Sequence, residues 1–236
     1  MTSGNSSPSF ERNREHITKK HRMTKNIILT VAVFLFAANA FSQEDWELKK
    51  EEDGIKVYTR YIEGSDIKAF RAEAVLEGKL SSFVAVLKDV DNYPEFYSSS
   101  DYAQLIEASD TLLMHYSQTG TPWPVKDRDG VYINRFSQHY GTKAVTVAIE
   151  SVEGIRPESD DFVRIEKATG FWKFFPVDYN KVEVIYQMEA DPGGNIPAWV
   201  INMFLVDTPF DDMSSLRERV KLEKYANRKF EFLLDY

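Results

Sequence analysis

Residues 191–213 read DPGGNIPAWVINMFLVDTPFDDM, and this stretch decides the fold. Asp191 to Asn195 is turn chemistry. Pro197 then suits the first position of a helix, where its missing N–H leaves nothing unmade. From there Trp199, Met203, Val206, Phe210 and Met213 follow at spacings of four, three, four and three residues, one stripe on a 3.6-residue helix. Phe210 keeps the register across Pro209, so the spacing predicts one long, kinked helix rather than two. Between Trp199 and Val206 only Asn202 is polar, whereas after Asp211 the chain turns charged, as Arg217, Glu218 and Arg219 show. A segment apolar on nearly every side must be surrounded, so the first half of this helix is expected to plug something.

What surrounds it is the rest of the chain. Segments 55–62, 67–77, 101–108, 111–119, 128–140, 143–152, 162–169 and 181–190 are rich in β-branched and aromatic residues at period two, the pattern of half-buried strands. Short turns such as Glu63-Gly64-Ser65-Asp66 and Tyr140-Gly141-Thr142 separate them, which predicts a meandering antiparallel sheet. Leu80, Phe83, Val84 and Leu87 instead fall at helical spacing over 80–89, with Tyr93-Pro94 past the end. The class is α+β: a curved antiparallel β-sheet wrapped around a long kinked C-terminal α-helix, with short helices after the second strand. Val145, Val147 and Ile149 lie on one face of their strand and Ala144, Thr146 and Ala148 on the other. Phe70, Ala72 and Ala74 likewise oppose Ala69, Arg71 and Glu73. Faces of Ala and Thr fit a hollow interior, and they fit a solvent face equally well.

Residues 1–22 carry no apolar period and read as a disordered leader or a mis-called start. Lys19, Lys20, Arg22 and Lys25 then precede a 12-residue apolar run over 27–38, followed by the small residues Ala38, Ala40 and Ser42. Spanning a bilayer takes about 20 residues. Residues 23–42 therefore read as a signal peptide, with cleavage after Ala40 or Ser42 and a periplasmic or secreted product. No cysteine follows the run, which excludes a lipid anchor. The chain contains no cysteine at all, and this rules out disulfides, a thiolate nucleophile and Cys-ligated zinc or iron–sulfur centres. Of four histidines, His16 and His21 lie in the leader, leaving His115 and His139. Neither a metal nor a cofactor is implied. Against 29 basic residues stand 37 acidic ones, a net charge of −8; removing 1–42 leaves 23 and 35, a net charge of −12. That balance argues against a nucleic-acid partner and against electrostatic docking on anionic lipid. Residues 43–236 contain no linker, and one domain, working as a monomer, is expected.

Three motifs carry a family resemblance: Tyr93-Pro94-Glu95-Phe96-Tyr97 after the first helix, Pro122-Trp123-Pro124-Val125-Lys126-Asp127-Arg128-Asp129 before a strand, and Asp191 to Trp199 opening the last helix. In this order and spacing the chain resembles the START (steroidogenic acute regulatory protein-related lipid transfer) domain over most of 45–220, in its exported bacterial branch. The resemblance implies a helix-grip fold whose tunnel holds a lipid or other apolar molecule, without catalysis in most members. Head-group assignments do not carry over to this branch.

A cavity for such a ligand needs apolar and aromatic walls with few polar groups. From the first helix and the segment after it come Phe83, Leu87, Tyr93 and Tyr97. The strands offer Met114, Tyr116, Trp172, Phe174, Tyr186 and Met188, and Trp123 stands before one of them. The last helix offers Trp199, Met203 and Phe204. Plain core packing is the competing role for each. Arg128 and Asp129 are neighbours in a strand and must point to opposite faces; Arg128 is placed inward, where it needs a partner or an anionic head group. Arg71 and Glu73 share a face and read as a surface pair.

The leading function is non-catalytic binding or transfer of a lipid or other apolar small molecule in an extracytoplasmic space, with transient membrane contact. The alternative is an enzyme of the same superfamily, of cyclase or hydratase type, using His115, Asp127 or Tyr116 as acid or base in that cavity. The export reading has a direct check. Produced in a bacterium with an intact secretion pathway, the protein should be recovered from the periplasm or medium with a mass beginning at Phe41 or Gln43; an uncleaved cytoplasmic product would refute it.

Overall fold

The computed structural model describes residues 1, 46–194 and 196–235. The signal peptide read at 23–42 lies outside them, as does the leader beyond Met1. The strands are β1 (Glu47–Glu52), β2 (Ile55–Tyr61), β3 (Lys68–Glu77), β4 (Ser100–Ala108), β5 (Leu112–Thr119), β6 (Arg128–Gln138), β7 (Val145–Ser151), β8 (Val163–Arg164), β9 (Lys167–Asp178) and β10 (Lys181–Asp191). The helices are α1 (Leu80–Lys88), α2 (Tyr93–Phe96), α3 (Ala198–Arg219) and α4 (Glu223–Ala226). The sheet order is β1-β2-β3-β10-β9-β7-β6-β5-β4, antiparallel throughout, with β8 alongside β6 in parallel. This is the expected α+β architecture: a curved, open antiparallel sheet with the C-terminal helix against its concave face.

Three elements differ from the sequence reading. β1 was not anticipated because Glu47–Glu52 is charged at every position but Leu48 and lacks alternation; it is an edge strand, where charge guards the open hydrogen-bonding groups. The strand expected over 162–169 is instead the two-residue β8 followed by β9, which runs on to Asp178. Gly170 and Pro176 disguise β9, yet Pro176 is tolerated because β7 pairs with β9 only as far as Phe174, so its missing N–H faces no partner there. The charged 223–226 segment forms α4, with Tyr225 buried.

Alternation along the strands fixes the concave face. Phe70, Ala72, Ala74 and Leu76 of β3, Val182, Val184 and Tyr186 of β10, Trp172 and Phe174 of β9, and Val145, Val147 and Ile149 of β7 all point into the core. On β7 the small-residue face is therefore the outer one, and Ala148 is solvent-exposed. Opposite one another in the β9–β10 register, Trp172 and Tyr186 stack with ring centroids 3.8 Å apart and planes 5° apart. Phe83 of α1 meets Phe174 at 5.2 Å. Met213, Leu216 and Val220 close the core from above.

Helix α3 runs unbroken through Pro209, as the register across that residue predicted. The stripe, however, is rotated. Its buried residues are Pro209, Asp212, Met213 and Leu216, while Trp199 and Met203 are 66% and 61% exposed. The sheet-facing row continues back through Thr208, Leu205 and Ile201, and since it contains Thr208 and Asp212, ranking by hydrophobicity selects the neighbouring row instead. The first half of α3 is thus not surrounded on every side among the described residues.

Gly170 marks where the sheet is tightest. A Cβ there would lie 2.2 Å from the Gln187 carbonyl oxygen and 2.2 Å from Met188 Sδ. Gly170→Ala should therefore lower the unfolding free energy by about 1–3 kcal/mol, read as a shifted urea midpoint; an unshifted midpoint would contradict the packing described.

Candidate functional site

Where α3 leaves the packed core, its first half spans an apolar cavity of about 280 Å³. Val200, Ile201, Phe204, Leu205 and Thr208 of α3 form one wall. Phe70 of β3, Ala190 of β10 and Ile165 form the sheet side. Thr119 at the end of β5, Gly120, Thr121, Pro122 and Val125 of the β5–β6 connection, and Pro192 and Ile196 of the β10–α3 connection form the mouth. Side chains on both connections are tied down. Thr121 N–H donates to Asp127 Oδ1 at 2.8 Å, and Thr121 Oγ1 donates to the Val125 carbonyl at 2.9 Å. Asn202, the polar residue in the apolar half of α3, accepts from Lys68 N–H at 3.1 Å and donates to the Asp66 carbonyl at 3.2 Å. It pins the helix to the β2–β3 turn.

One charged side chain reaches the cavity. Arg128 begins β6, is 3% exposed and lines the wall. Its Nε donates to the Pro192 carbonyl at 3.3 Å, one terminal nitrogen to the Gly193 carbonyl at 3.4 Å and the other to the Lys126 carbonyl. It thus bridges both connections at the mouth. Burial draws its pKa down, and the charge of Asp127 opposes that shift. Asp129 is equally buried but lies on the convex face, as alternation requires. There it accepts Nε and Nη2 of Arg164 at 2.8 and 3.0 Å and the Tyr116 hydroxyl at 3.0 Å. Burial raises the Asp129 pKa, and the bonds from Arg164 and Tyr116 outweigh it, so the carboxyl sits below its ordinary value.

The residues expected to line a pocket are distributed over four places. Arg128 and Phe204 line this cavity. Phe83, Leu87, Tyr93, Trp172, Phe174 and Tyr186 are buried in the packed core, with Tyr97 and Met188 half-buried against it. Met114 and Tyr116 share the convex face with Asp129, since their register partners are Ile133 and Val131. Trp123, at 93% exposure, and Trp199 and Met203 are exposed, next in sequence to the lining residues Pro122, Val200 and Phe204. The sequence reading missed Ile201 and Leu205, although their four-residue spacing places them on one helix face. Arg71 and Glu73 approach to 3.8 Å on the outer face of β3.

The three candidate acid–base groups do not converge. His115 is buried on the concave face between the rings of Tyr93, at 5.0 Å, and Tyr132, at 5.5 Å. Its Nδ1 lies 2.9 Å from Ser117 Oγ, and burial lowers its pKa to about 4. Tyr116 is on the other face, and Asp127 is engaged by Thr121. Among the described residues no cluster of ligating side chains could hold a metal ion, and no helix is long and apolar enough to cross a membrane. A group the sequence reading did not single out is Asp212 of α3, 2% exposed, which accepts Ser98 N–H at 2.8 Å. Burial raises its pKa from 3.8 to about 7, against the lowering effect of the Ser98 bonds.

A family model described as the START domain matches residues 28–225. A crystal structure of a STAR-related lipid transfer protein from Xanthomonas axonopodis superposes with a TM-score of 0.70 at 39% identity, covering 75% of this chain and 99% of that one. An uncharacterized protein of Pseudomonas aeruginosa is 34% identical over 196 residues, covering 83% of this chain and 95% of its own. The phosphatidylcholine transfer protein of Bos taurus is 26% identical over 173 residues, 69% of this chain and 78% of that one. The mitochondrial steroidogenic acute regulatory protein of Gallus gallus is 26% identical over 186 residues, and the match spans 65% of its length.

Asp212 has a measurable signature. Between pH 3.8 and about 7 the folded carboxyl holds its proton where the unfolded one has lost it, so this group's contribution to stability falls as pH rises through that window. Comparing the protein with Asp212→Asn cancels the opposite contribution of His115. The stability difference should move against the unsubstituted protein from pH 4 to 7, with a limiting slope of about 1.4 kcal/mol per pH unit; a pH-independent difference would show that Asp212 ionises normally.

Proposed function

The chain belongs to the START domain family, and from that premise we propose that it is a non-catalytic carrier that binds one lipid-like molecule between the first half of α3 and the sheet. The observation that carries this reading is the cavity of about 280 Å³ walled by Val200, Ile201, Phe204 and Leu205. Apolar walls favour hydrocarbon by about 25 cal/mol per Å² removed from water, and charge plays no part in that term. The names of the bovine and Xanthomonas relatives, which speak of lipid or phosphatidylcholine transfer, support the class of ligand. The scattered positions of His115, Tyr116 and Asp127 support a carrier over a cyclase, because general acid–base chemistry needs groups that reach one substrate.

Exchange of ligand runs through the mouth. Trp123 and Trp199 are exposed, next in sequence to the lining residues Pro122 and Val200, and aromatic side chains of this kind settle at membrane–water interfaces. With an acidic surface, contact with a membrane is transient and led by these side chains. The work is done outside the cytoplasm by the chain released from the signal at 23–42, as a monomer.

Cavity filling tests the assignment. Ile201→Trp should reduce uptake of a fluorescent acyl probe at least about ten-fold, a change of roughly 1.4 kcal/mol, while the melting temperature stays near that of the unsubstituted protein. Native mass spectrometry of protein purified without delipidation should report a bound apolar mass. Protein that carries nothing and, once stripped, takes up neither acyl nor sterol probes would overturn the carrier reading.

A further inference from the structure

We propose that the cavity selects a single-chain amphiphile with an anionic head, a carboxylate or a phosphate monoester, which Arg128 receives at the wall. This rests on the carrier reading and adds the class of ligand. The first observation is an unbalanced charge. Arg128 is 3% exposed, and among the described residues its partners are the carbonyls of Pro192, Gly193 and Lys126, with no carboxylate in an ion pair. Carbonyl dipoles satisfy donors without cancelling the charge. Asp127, its neighbour in sequence, acts on it through its charge alone, because its carboxylate is hydrogen-bonded by Thr121. By contrast, the other buried guanidinium of this region, Arg164, has Asp129 at 2.8 Å. A buried cation is costly unless an anion meets it, and the space that Arg128 lines is the cavity.

Donor arithmetic agrees. A guanidinium has five N–H groups, and three are used, one from each nitrogen. One N–H on each terminal nitrogen remains without a partner among the described residues, the number a carboxylate or phosphate accepts from an arginine fork. Directly across the β5–β6 register stands Thr119, which also lines the cavity and whose hydroxyl makes no hydrogen bond among the described residues. It supplies a further donor beside Arg128. The remaining wall is mostly hydrocarbon, with Ser99, Thr121 and Thr208 interspersed, and its volume of about 280 Å³ lies just below the range of roughly 300–1,000 Å³ typical of small-molecule sites, which suits one chain rather than two. Because Arg128 is already held in place by three carbonyls in the folded protein, an arriving anion gains the attraction of a preorganised charge.

The test uses the full chain, stripped of lipid, at about pH 7.5, where a carboxylic acid is ionised. Dodecanol, dodecanoate and dodecyl phosphate compete against a neutral fluorescent probe. One of the two anions should displace the probe at a concentration at least about ten-fold below that of dodecanol, as a charge-assisted hydrogen bond predicts. Preference for dodecanoate assigns a carboxylate head, and preference for dodecyl phosphate assigns a phosphate. In Arg128→Gln the advantage of the anions over dodecanol, measured as a ratio within that variant, should shrink to within about three-fold. Should that variant not fold, Arg128→Lys, which keeps the charge, should retain the anion preference, and the unsubstituted protein's ratio decides the matter by itself. Dodecanol competing as well as both anions would overturn the head-group assignment and leave the apolar carrier standing. Failure of the probe and all three competitors to bind would overturn both.

Discussion

Everything about this site follows from one helix being held in two different ways. The second half of α3 is packed: Met213 and Leu216 are fully buried against strands and α1. Its first half is propped. Asn202 bonds the β2–β3 turn, Lys50 reaches Asp207 at 3.1 Å, and between them Leu205 and Val206 touch the core while Phe204 and Leu205 border the cavity. Hydrophobic burial is non-directional and pulls surfaces together until they touch; a gap persists only where something stiff holds the surfaces apart. Here the stiffness comes from the packed half of the same helix.

The sheet supplies the second condition by sorting polar groups to its two faces. Arg128 and Asp129 are adjacent, equally buried and oppositely charged, and a naive pairing would join them. Strand geometry forbids it, since consecutive side chains leave the sheet on opposite sides. Asp129 is satisfied from outside by Arg164, which also donates to the carbonyls of Arg156 and Pro157 and so fastens the long β7–β8 connection to the convex face. Arg128 is left inward, to be satisfied by the mouth. Breaking the Asp129–Arg164 pair would leave a carboxylate stranded under that connection, which makes it a structural element rather than a binding one.

How much of this was legible depended on which physical quantity each prediction needed. Period two fixed most of the strands, and four-residue spacing carried α3 across Pro209, because both are properties of the local chain. Which strand face is concave is a property of the whole sheet, and no local pattern contains it. Tyr116 and Met114 look like pocket residues by chemistry but lie outside, whereas His115 between them lies inside. Volume misled in the same way. Trp172 and Tyr186 are large enough to line a tunnel, yet placed opposite one another they stack and fill the space themselves. β1 escaped notice because an edge strand needs charge rather than alternation. Asp212 escaped because a carboxylate inside an apolar helix reads as the end of the buried row, when it is part of it.

The division between packed core and propped mouth also bears on how a guest could enter without unfolding the protein. Local opening has a free energy set by the apolar contacts and hydrogen bonds it breaks. At the core end those include the Trp172–Tyr186 stack and the burial of Phe83, Phe174, Met213 and Leu216. At the mouth they are a few polar ties through Asn202 and Arg128, two of the latter's three bonds running to the β10–α3 connection. Trp199 and Met203 are already exposed there, so displacing that end leaves their surroundings unchanged and uncovers chiefly the side chains that line the cavity. Fewer packed contacts hold the chain where the cavity lies, and the arginine that lines it is the same group that fastens the connection above it. An anion drawing those N–H groups inward would compete with the Pro192 and Gly193 carbonyls, which couples occupancy of the cavity to the looseness of its own entrance.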